Sequence, residues 1–315
     1  MLRRGSFLSA CNVCPCKVEK FWQHADWLQS QVSASQTPLF LNLDETAVQY
    51  AYYSAKGWIA KCVPPARANV ASTHRRGAIT HIAMISSVLG VQPHLPQILV
   101  VNTRRLSARL LSRLQQTAPS NVTILRRVSS WNTTDIMIYV LELLSAVLRA
   151  RFPQYQAILV LDGAPMHFTA AVVRRARLER IWLLPVGPYL TRYIQPLDVA
   201  VFSRYKHFLE VRNRDVRMRQ GFVDTADWFE TIFATCHEFL CNHNWHRAFT
   251  QVGLLCSSEQ SLNCDLARWF PAGRTSRVGV RQLTEHEFRL LLPKRCNVTF
   301  ADFVGSPQGV PPLLA

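Results

Sequence analysis

The chain has 315 residues, 49% of them hydrophobic, with a net charge of +16 and a pI near 10.0. That apolar content excludes a chain too polar to build a core, and no run of 18 apolar residues offers a membrane-spanning helix. The basic excess, 30 Arg against 6 Lys, suits a polyanionic partner such as nucleic acid, or reflects a generally Arg-rich composition; it says nothing about fold.

The start, Met1-Leu-Arg-Arg, is basic, but the apolar stretch behind it is too short for a secretory signal. An intracellular chain is expected, with its nine cysteines as free thiols. Cys11, Cys14 and Cys16 with His24 offer zinc-type ligands, although a second pair at a standard spacing is missing. Lys17 to Gln31 predicts a short amphipathic helix through Val18, Phe21, Trp22 and Leu28.

Residues 38–101 read as a β-meander. Its first strand ends at Asp44. A β-rich run from Ala47 to Tyr53 follows, closed by a turn at Lys56-Gly57-Trp58, then a loop with Pro64, Pro65, Arg67, Arg75 and Arg76. Ile79 to Leu89 and Ile98 to Val101 are further strands. Helices and strands then alternate: a basic helix over Leu106 to Leu114 and a strand over Val122 to Leu125. Asn132 with Asp135 forms a capping-box variant before a helix striped by Ile136, Val140, Leu143, Leu144, Val147 and Leu148. A strand into Asp162, a basic helix from Phe168 to Leu178, a strand over Ile181 to Leu184 and a helix opening near Asp198 complete the pattern. Beyond residue 220 the chain is helical again. The division is an extension over 1–37, an α/β catalytic-type domain over 38–220 and a helical C-terminal appendage with tail over 221–315.

Three acids stand in unusual places. Ile158-Leu-Val-Leu-Asp162 is an apolar run ending in a carboxylate before a Gly and a Pro, which reads as a strand buried on both faces. Its C-terminal end is where open α/β sheets place ligands. Leu39-Phe-Leu-Asn-Leu-Asp44 has the same form. Asp198 precedes Val201, Phe202, Tyr205 and Leu209 at helical spacing, so it falls on the buried stripe's face; a capping acid is the alternative. Three carboxylates at one spot suit hard divalent cations, Mg²⁺ above all. Two such ions, about 4 Å apart, serve phosphodiester chemistry. Acids to hold metal inside a basic protein that holds a phosphate backbone would be coherent.

Asn42-Leu-Asp44-Glu45-Thr46, Leu161-Asp162-Gly163-Ala-Pro-Met-His167 and Leu184-Pro-Val-Gly187-Pro through Gln195-Pro196-Leu197-Asp198 stand in that order. They resemble the three catalytic motifs of DDE/DDD transposases of the pogo/Tigger branch of the mariner-type superfamily. Asn244-Trp245 through Phe249 to Gly253 resembles that family's helical trailer, so the resemblance covers roughly residues 38–255. It implies a ribonuclease H-like mixed sheet flanked by helices. It further implies a nuclear DNA endonuclease and strand-transferase in which Asp44, Asp162 and Asp198 hold two Mg²⁺ or Mn²⁺. Water would be the nucleophile for cleavage and a 3′-hydroxyl for joining. DNA is the implied partner, with no membrane and no small-molecule cofactor; a homodimer is compatible.

The sequence departs from the family at Gly163 and Gly187, each in place of a usual Asn. About 37 residues precede the first motif's strand, which is short for the helix-turn-helix module such enzymes carry. A domesticated or decayed DNA-binding protein without catalysis is the rival reading; the retention of all three acids speaks against it. Around the acids, Glu45 should point to the opposite face of its strand and act behind the ligands rather than as one. His167 either contacts phosphate or caps a helix, and Gln195 accompanies the third acid. Arg174, Arg175, Arg177 and Arg180, and Arg204, Lys206, Arg212 and Arg214, are DNA-backbone contacts or solvated helix faces. Arg104, Arg105, Arg109 and Arg113 are expected to be plain surface. Trp131, Trp182 and Trp245 are expected in the core, with base stacking as the alternative.

Overall fold

The structure, a computed structural model, describes residues 15–49, 79–221, 223–255, 262–274, 280–293 and 296–304. Cys11, Cys14, the turn at Lys56-Gly57-Trp58, the Pro64–Arg76 loop and the far C-terminal tail lie outside the described residues.

Six strands form one mixed sheet in the order β4-β3-β2-β1-β5-β6. They are β1 (Thr37–Val48), β2 (Ile79–Ser86), β3 (Gln97–Asn102), β4 (Val122–Arg127), β5 (Tyr155–Leu161) and β6 (Trp182–Pro185). β1, β2 and β3 are antiparallel neighbours, whereas β5 and β6 run parallel to β1 on its other side. β4 adds a parallel edge strand beside β3. An antiparallel three-strand meander whose first strand is central and carries parallel strands on its far side is the ribonuclease H-like arrangement. β1, β3, β4, β5 and β6 therefore all end at the same carboxyl edge. The central strands are apolar because helices cover both faces, and Ile158 to Leu161 are all 0% exposed.

Helices α1 (Pro15–Ser30), α2 (Ala108–Thr117), α3 (Thr134–Arg151), α4 (Ala170–Leu178), α5 (Thr191–Ile194) and α6 (Phe202–Gln220) surround the sheet. Further helices follow: α7 (Thr225–Thr235), α8 (His246–Gln251), α9 (Cys264–Trp269), α10 (Glu285–Arg289) and α11 (Phe300–Val304). Among the described residues no helix is long and apolar enough to cross a membrane. α1 is fastened to the C-terminal segments. The Trp22 indole N–H donates to Val252 O at 2.8 Å, Lys20 pairs with Glu287 at 2.6 Å, and Arg274 pairs with Asp26. Gly253 has φ +75°, and a Cβ there would stand 2.7 Å from the Trp22 ring; only glycine meets both conditions.

Several expectations change. β1 does not end at Asp44 but runs on to Val48, because Asp44 through Val48 keep their antiparallel partners Ala83 through Ile79. Asn132 and Asp135 do not form a capping box. Thr133 is the N-cap of α3, accepting from the Ile136 N–H at 3.4 Å, since Asn132 is drawn away to Glu45. Trp131 is not core but 76% exposed, on the loop between β4 and α3. Trp182 is half-buried and Trp245 buried. Cys236, Cys241, Cys264 and Cys296 are free thiols, but Cys16 is disulfide-bonded, and a cystine has no thiolate to offer zinc.

Candidate active site

The register of two parallel strands does the first part of the assembly. Asn42 pairs with Val160, so Asp44 and Asp162 stand two residues past the same rung. Both acids therefore stand at the same level past that rung, on adjacent chains spaced about 4.8 Å apart. Asn42 does the second part. Its side chain is 0% exposed; its amide donates to Val160 O at 3.0 Å and its carbonyl accepts from the Leu197 N–H at 2.8 Å. One side chain on β1 thus ties together β5, two residues before Asp162, and the helix start one residue before Asp198. Asn42 belongs to the first motif, where nothing local assigns it a role. A lone amide inside an apolar strand was the available signal, since a buried polar group needs partners.

Asp198 lies in a π turn, Leu197–Val201, that opens into α6. The turn holds an extra residue, so a spacing count at 3.6 residues per turn misplaces it. Asp198 is exposed, not aligned with the buried stripe of Leu197, Val201, Phe202, Tyr205 and Leu209. Nor is it a capping acid, as no described backbone N–H donates to its carboxylate.

The three aspartates feel one another. Burial pushes the Asp44 carboxyl well above the ordinary range, and the charges of Asp198, Glu45 and Asp162 push it further, against one hydrogen bond from the Glu45 N–H. Desolvation and then the Asp162 charge raise Asp198, while the Lys206 ammonium acts in the opposite sense. Burial also pushes Asp162 up, but the hydrogen bond and charge of His167, with the Ala164 N–H, outweigh it and hold this acid below the ordinary range. Among the described residues no Lys, Arg or His lies within salt-bridge distance of Asp44 or Asp198.

His167 is buried between two carboxylates. Its Nδ1 is 2.7 Å from Asp162 Oδ1 and its Nε2 is 2.9 Å from Glu45 Oε1. Burial alone would lower its pKa, but the bonds to Asp162 and Glu45 raise it to about 10. Both ring nitrogens face carboxylate oxygens, an arrangement that favours the protonated ring. Glu45, Asp162 and His167 offer ligand atoms within 4.8 Å of one another. In this arrangement, however, both ring nitrogens are already taken up by carboxylate partners. The group is better understood as a brace. It occupies Asp162 Oδ1, which also accepts from the Ala164 N–H at 3.1 Å, and leaves Oδ2 without a described partner. Glu45 lies on the opposite face of β1 from Asn42 and Asp44, as parity requires. It is held there by His167 and by the Asn132 amide at the start of α3.

Gln195 is 0% exposed and neither atom of its amide has a partner among the described residues. An orphaned buried amide beside a crowd of acids, one of which has a free oxygen and another no cation, fits a site completed by a hydrated cation. A divalent ion would remove the repulsion that now raises Asp44 and Asp198.

The basic residues divide. Arg175 is paired with Glu142 at 3.3 Å and Glu179 at 3.4 Å, and Arg212 with Glu238. Arg214 lies 3.8 Å from Glu210. Arg177 donates to Asp302 O at 3.3 Å. Arg174 and Arg204 are exposed; Arg204 lies over the rings of Phe239 and Trp245. Lys206 is the base whose charge reaches Asp198. At the motif departures, a Cβ on Gly187 would meet Leu290 O at 3.2 Å, so the C-terminal segment requires a small residue there; a Cβ on Gly163 meets only Val186 O at 3.5 Å, and nothing in the structure explains that glycine.

No protein-family profile matches the chain, and neither does any curated protein sequence. Among solved structures it is similar to the Mos1 transposase paired-end complex with left transposon end, at 13% identity over 80% of this chain and 67% of that one, TM-score 0.41. It is similar to the Mos1 strand transfer complex at 12% identity over 80% of this chain and 63% of that one, TM-score 0.45. It is also similar to the catalytic domain of Mos1 mariner transposase, at 12% identity over 78% of this chain and 98% of that one, TM-score 0.37. The chain thus spans about two thirds of the chains in those complexes and nearly all of the separate catalytic domain.

Proposed function

We propose that the chain is a metal-dependent DNA nuclease and strand-transferase of the DDD type, acting in the nucleus, with Asp44, Asp162 and Asp198 as its metal ligands. The observation that carries this reading is the Asn42 staple with the β1–β5 register, which gathers three mutually repelling aspartates with no described cation within salt-bridge distance of Asp44 or Asp198. The order of the three motifs and the net charge of +16 support it.

When bound, one or two Mg²⁺ or Mn²⁺ ions would supply charge neutralisation at a phosphodiester and a more acidic water or hydroxyl. The protein's own part is placement. Asp162 presents one free oxygen because His167 and the Ala164 N–H hold the other. Glu45 and Asn132 hold His167. Lys206, Arg204 and Arg174 are the bases best placed to meet backbone phosphate, since Arg175 and Arg212 already have carboxylate partners.

A nicking assay on supercoiled DNA with Mg²⁺ or Mn²⁺ tests the reading. Asp162→Ala should reduce nicking by roughly a thousandfold or more. Equal nicking by wild type and Asp162→Ala would sink it, and DNA binding without specific nicking would leave a non-catalytic DNA-binding protein. The binding should also weaken steeply with salt if the free bases meet phosphates.

A further inference from the structure

Two large aromatic rings stand in solvent at the same edge of the sheet as the acids. Trp131 is 76% exposed and Tyr189 is 61% exposed. Trp131 lies in the loop after β4, and the next residue, Asn132, reaches Glu45 in the brace around Asp162. Tyr189 lies in the loop after β6. That loop is anchored beside Asp162 by the Val186 N–H, which donates to Leu161 O at 2.8 Å. The loop of each ring is therefore tied by one hydrogen bond to a segment that carries or braces an acid.

Neither ring is where turn chemistry alone would put it. Tyr189 has φ +69°, a left-handed conformation that Gly or Asn adopts with far less strain. The turn is fixed by the Leu190 N–H bonding to Gly187 O at 3.1 Å, while the Leu190 side chain is 0% exposed. Burial of Leu190 thus turns the tyrosine outward. Strained residues of this kind concentrate at ligand-binding sites. Trp131 takes a local bond from its N–H to Ser129 Oγ at 3.3 Å, and Val128 beside it is 84% exposed. On the same edge Arg104, Arg105 and Arg127 are exposed and have no acidic partner among the described residues. Aromatic faces interleaved with unpaired arginines match a strand whose phosphates meet cations and whose bases stack on rings.

We infer that Trp131 and Tyr189 are stacking platforms for unpaired bases of DNA next to the acid cluster, so that the site takes its substrate with the helix opened there. This rests on the DNA-processing reading and adds the state of the DNA. A duplex keeps its base faces against one another and could not use these rings; a single-stranded or frayed segment could.

Anisotropy with a labelled 20-nucleotide single strand, a duplex of the same length and a duplex with a short unpaired end tests it, in Ca²⁺ to hold the DNA uncut. The wild type should bind the single-stranded and frayed forms at least as tightly as the duplex. Trp131→Ala and Tyr189→Ala should each lose roughly tenfold or more on those forms and little on the duplex, while Trp131→Phe and Tyr189→Phe retain most of the affinity. Both rings are exposed, so urea midpoints of the alanine variants should match wild type. Unchanged single-strand binding in both alanine variants, or equal losses on duplex and single strand, would overturn the inference and leave the nuclease reading standing. A wild type that binds none of the three DNAs would remove both.

Discussion

The acid edge of the sheet and the clasp between α1 and the C-terminal segments treat charged groups in opposite ways. In the clasp, charges are answered: Arg274 pairs with Asp26 and donates to Trp22 O at 3.1 Å, and Lys20 pairs with Glu287. At the edge, Asp44 is crowded by Asp198, Glu45 and Asp162, and the Gln195 amide is buried with nothing to bond. Crowded carboxylates with no ion-pair partner are costly to build, whereas a buried unpaired polar group costs about 1–3 kcal/mol wherever it lies, the His24 ring of the clasp included. The contrast teaches that the clasp uses its charges to hold distant segments together, whereas the edge leaves Asp44 and Asp198 without an ion-pair partner among the described residues.

Trp22→Ala should break the clasp most severely. It removes a buried ring, its bond to Val252 O and its packing over Gly253. A loss of about 3–5 kcal/mol is expected from urea unfolding, while the rise in thermal midpoint that the proposed metal site predicts on adding Ca²⁺ or Mn²⁺ should be kept. Loss of that rise as well would show that the two regions are not separable.

Asn42→Ala should show the reverse dependence on the edge. It strands the Leu197 N–H and frees the helix start that carries Asp198, at about 2 kcal/mol. The divalent-induced stabilisation should fall more than the stability itself; an unaltered metal response would refute the staple.

Acid should act on the clasp and on the sheet through histidines that burial keeps uncharged. His24, packed against Trp27, Phe288 and Phe300 in the clasp, has its pKa lowered by burial to about 3. Burial lowers His81, bonded to Tyr205 and Gln97, to about 4. In the unfolded chain both titrate near 6.5, so between about 6.5 and those values the unfolded state binds more protons and stability falls as pH falls. By pH 5 each contributes a loss of up to about 2 kcal/mol. His24→Phe should flatten that limb in a series of urea titrations. An equally steep limb in the variant would place the acid sensitivity elsewhere.

The smallest effect has the opposite sign. Asp44→Asn relieves repulsion at the edge and should stabilise the metal-free protein by about 1 kcal/mol, while abolishing the metal response and nicking. A destabilised Asp44→Asn would mean that the acids do not oppose one another in the native state.

Much of the sheet was legible in the chain. The apolar run before Asp162, the stripe from Ile136 to Leu148 and the breaks at Pro93 and Pro185 are local signals, and β5, α3 and the strand ends near those prolines follow them. Asn132 misled because a good capping residue was close to a better one; the partner that claimed it, Glu45, is 87 positions away. Trp131 misled because size and apolarity favour burial on average, whereas a loop at the sheet's edge had no core to reach. Asp198 misled because a π turn breaks the count by which faces are assigned.

By itself the sequence determined the kinds of element, their order and which acids end or open them, since periodicity and turn chemistry act over a few residues. Only the tertiary structure decided the pairing of Asn42 with Val160, the bond from Leu197 to Asn42 and the capture of His167 between Asp162 and Glu45. Those contacts join segments more than a hundred residues apart, except the short reach from Asp162 to His167. Their geometry depends on strand register, which no local pattern carries because a shift of one residue would send every side chain to the other face.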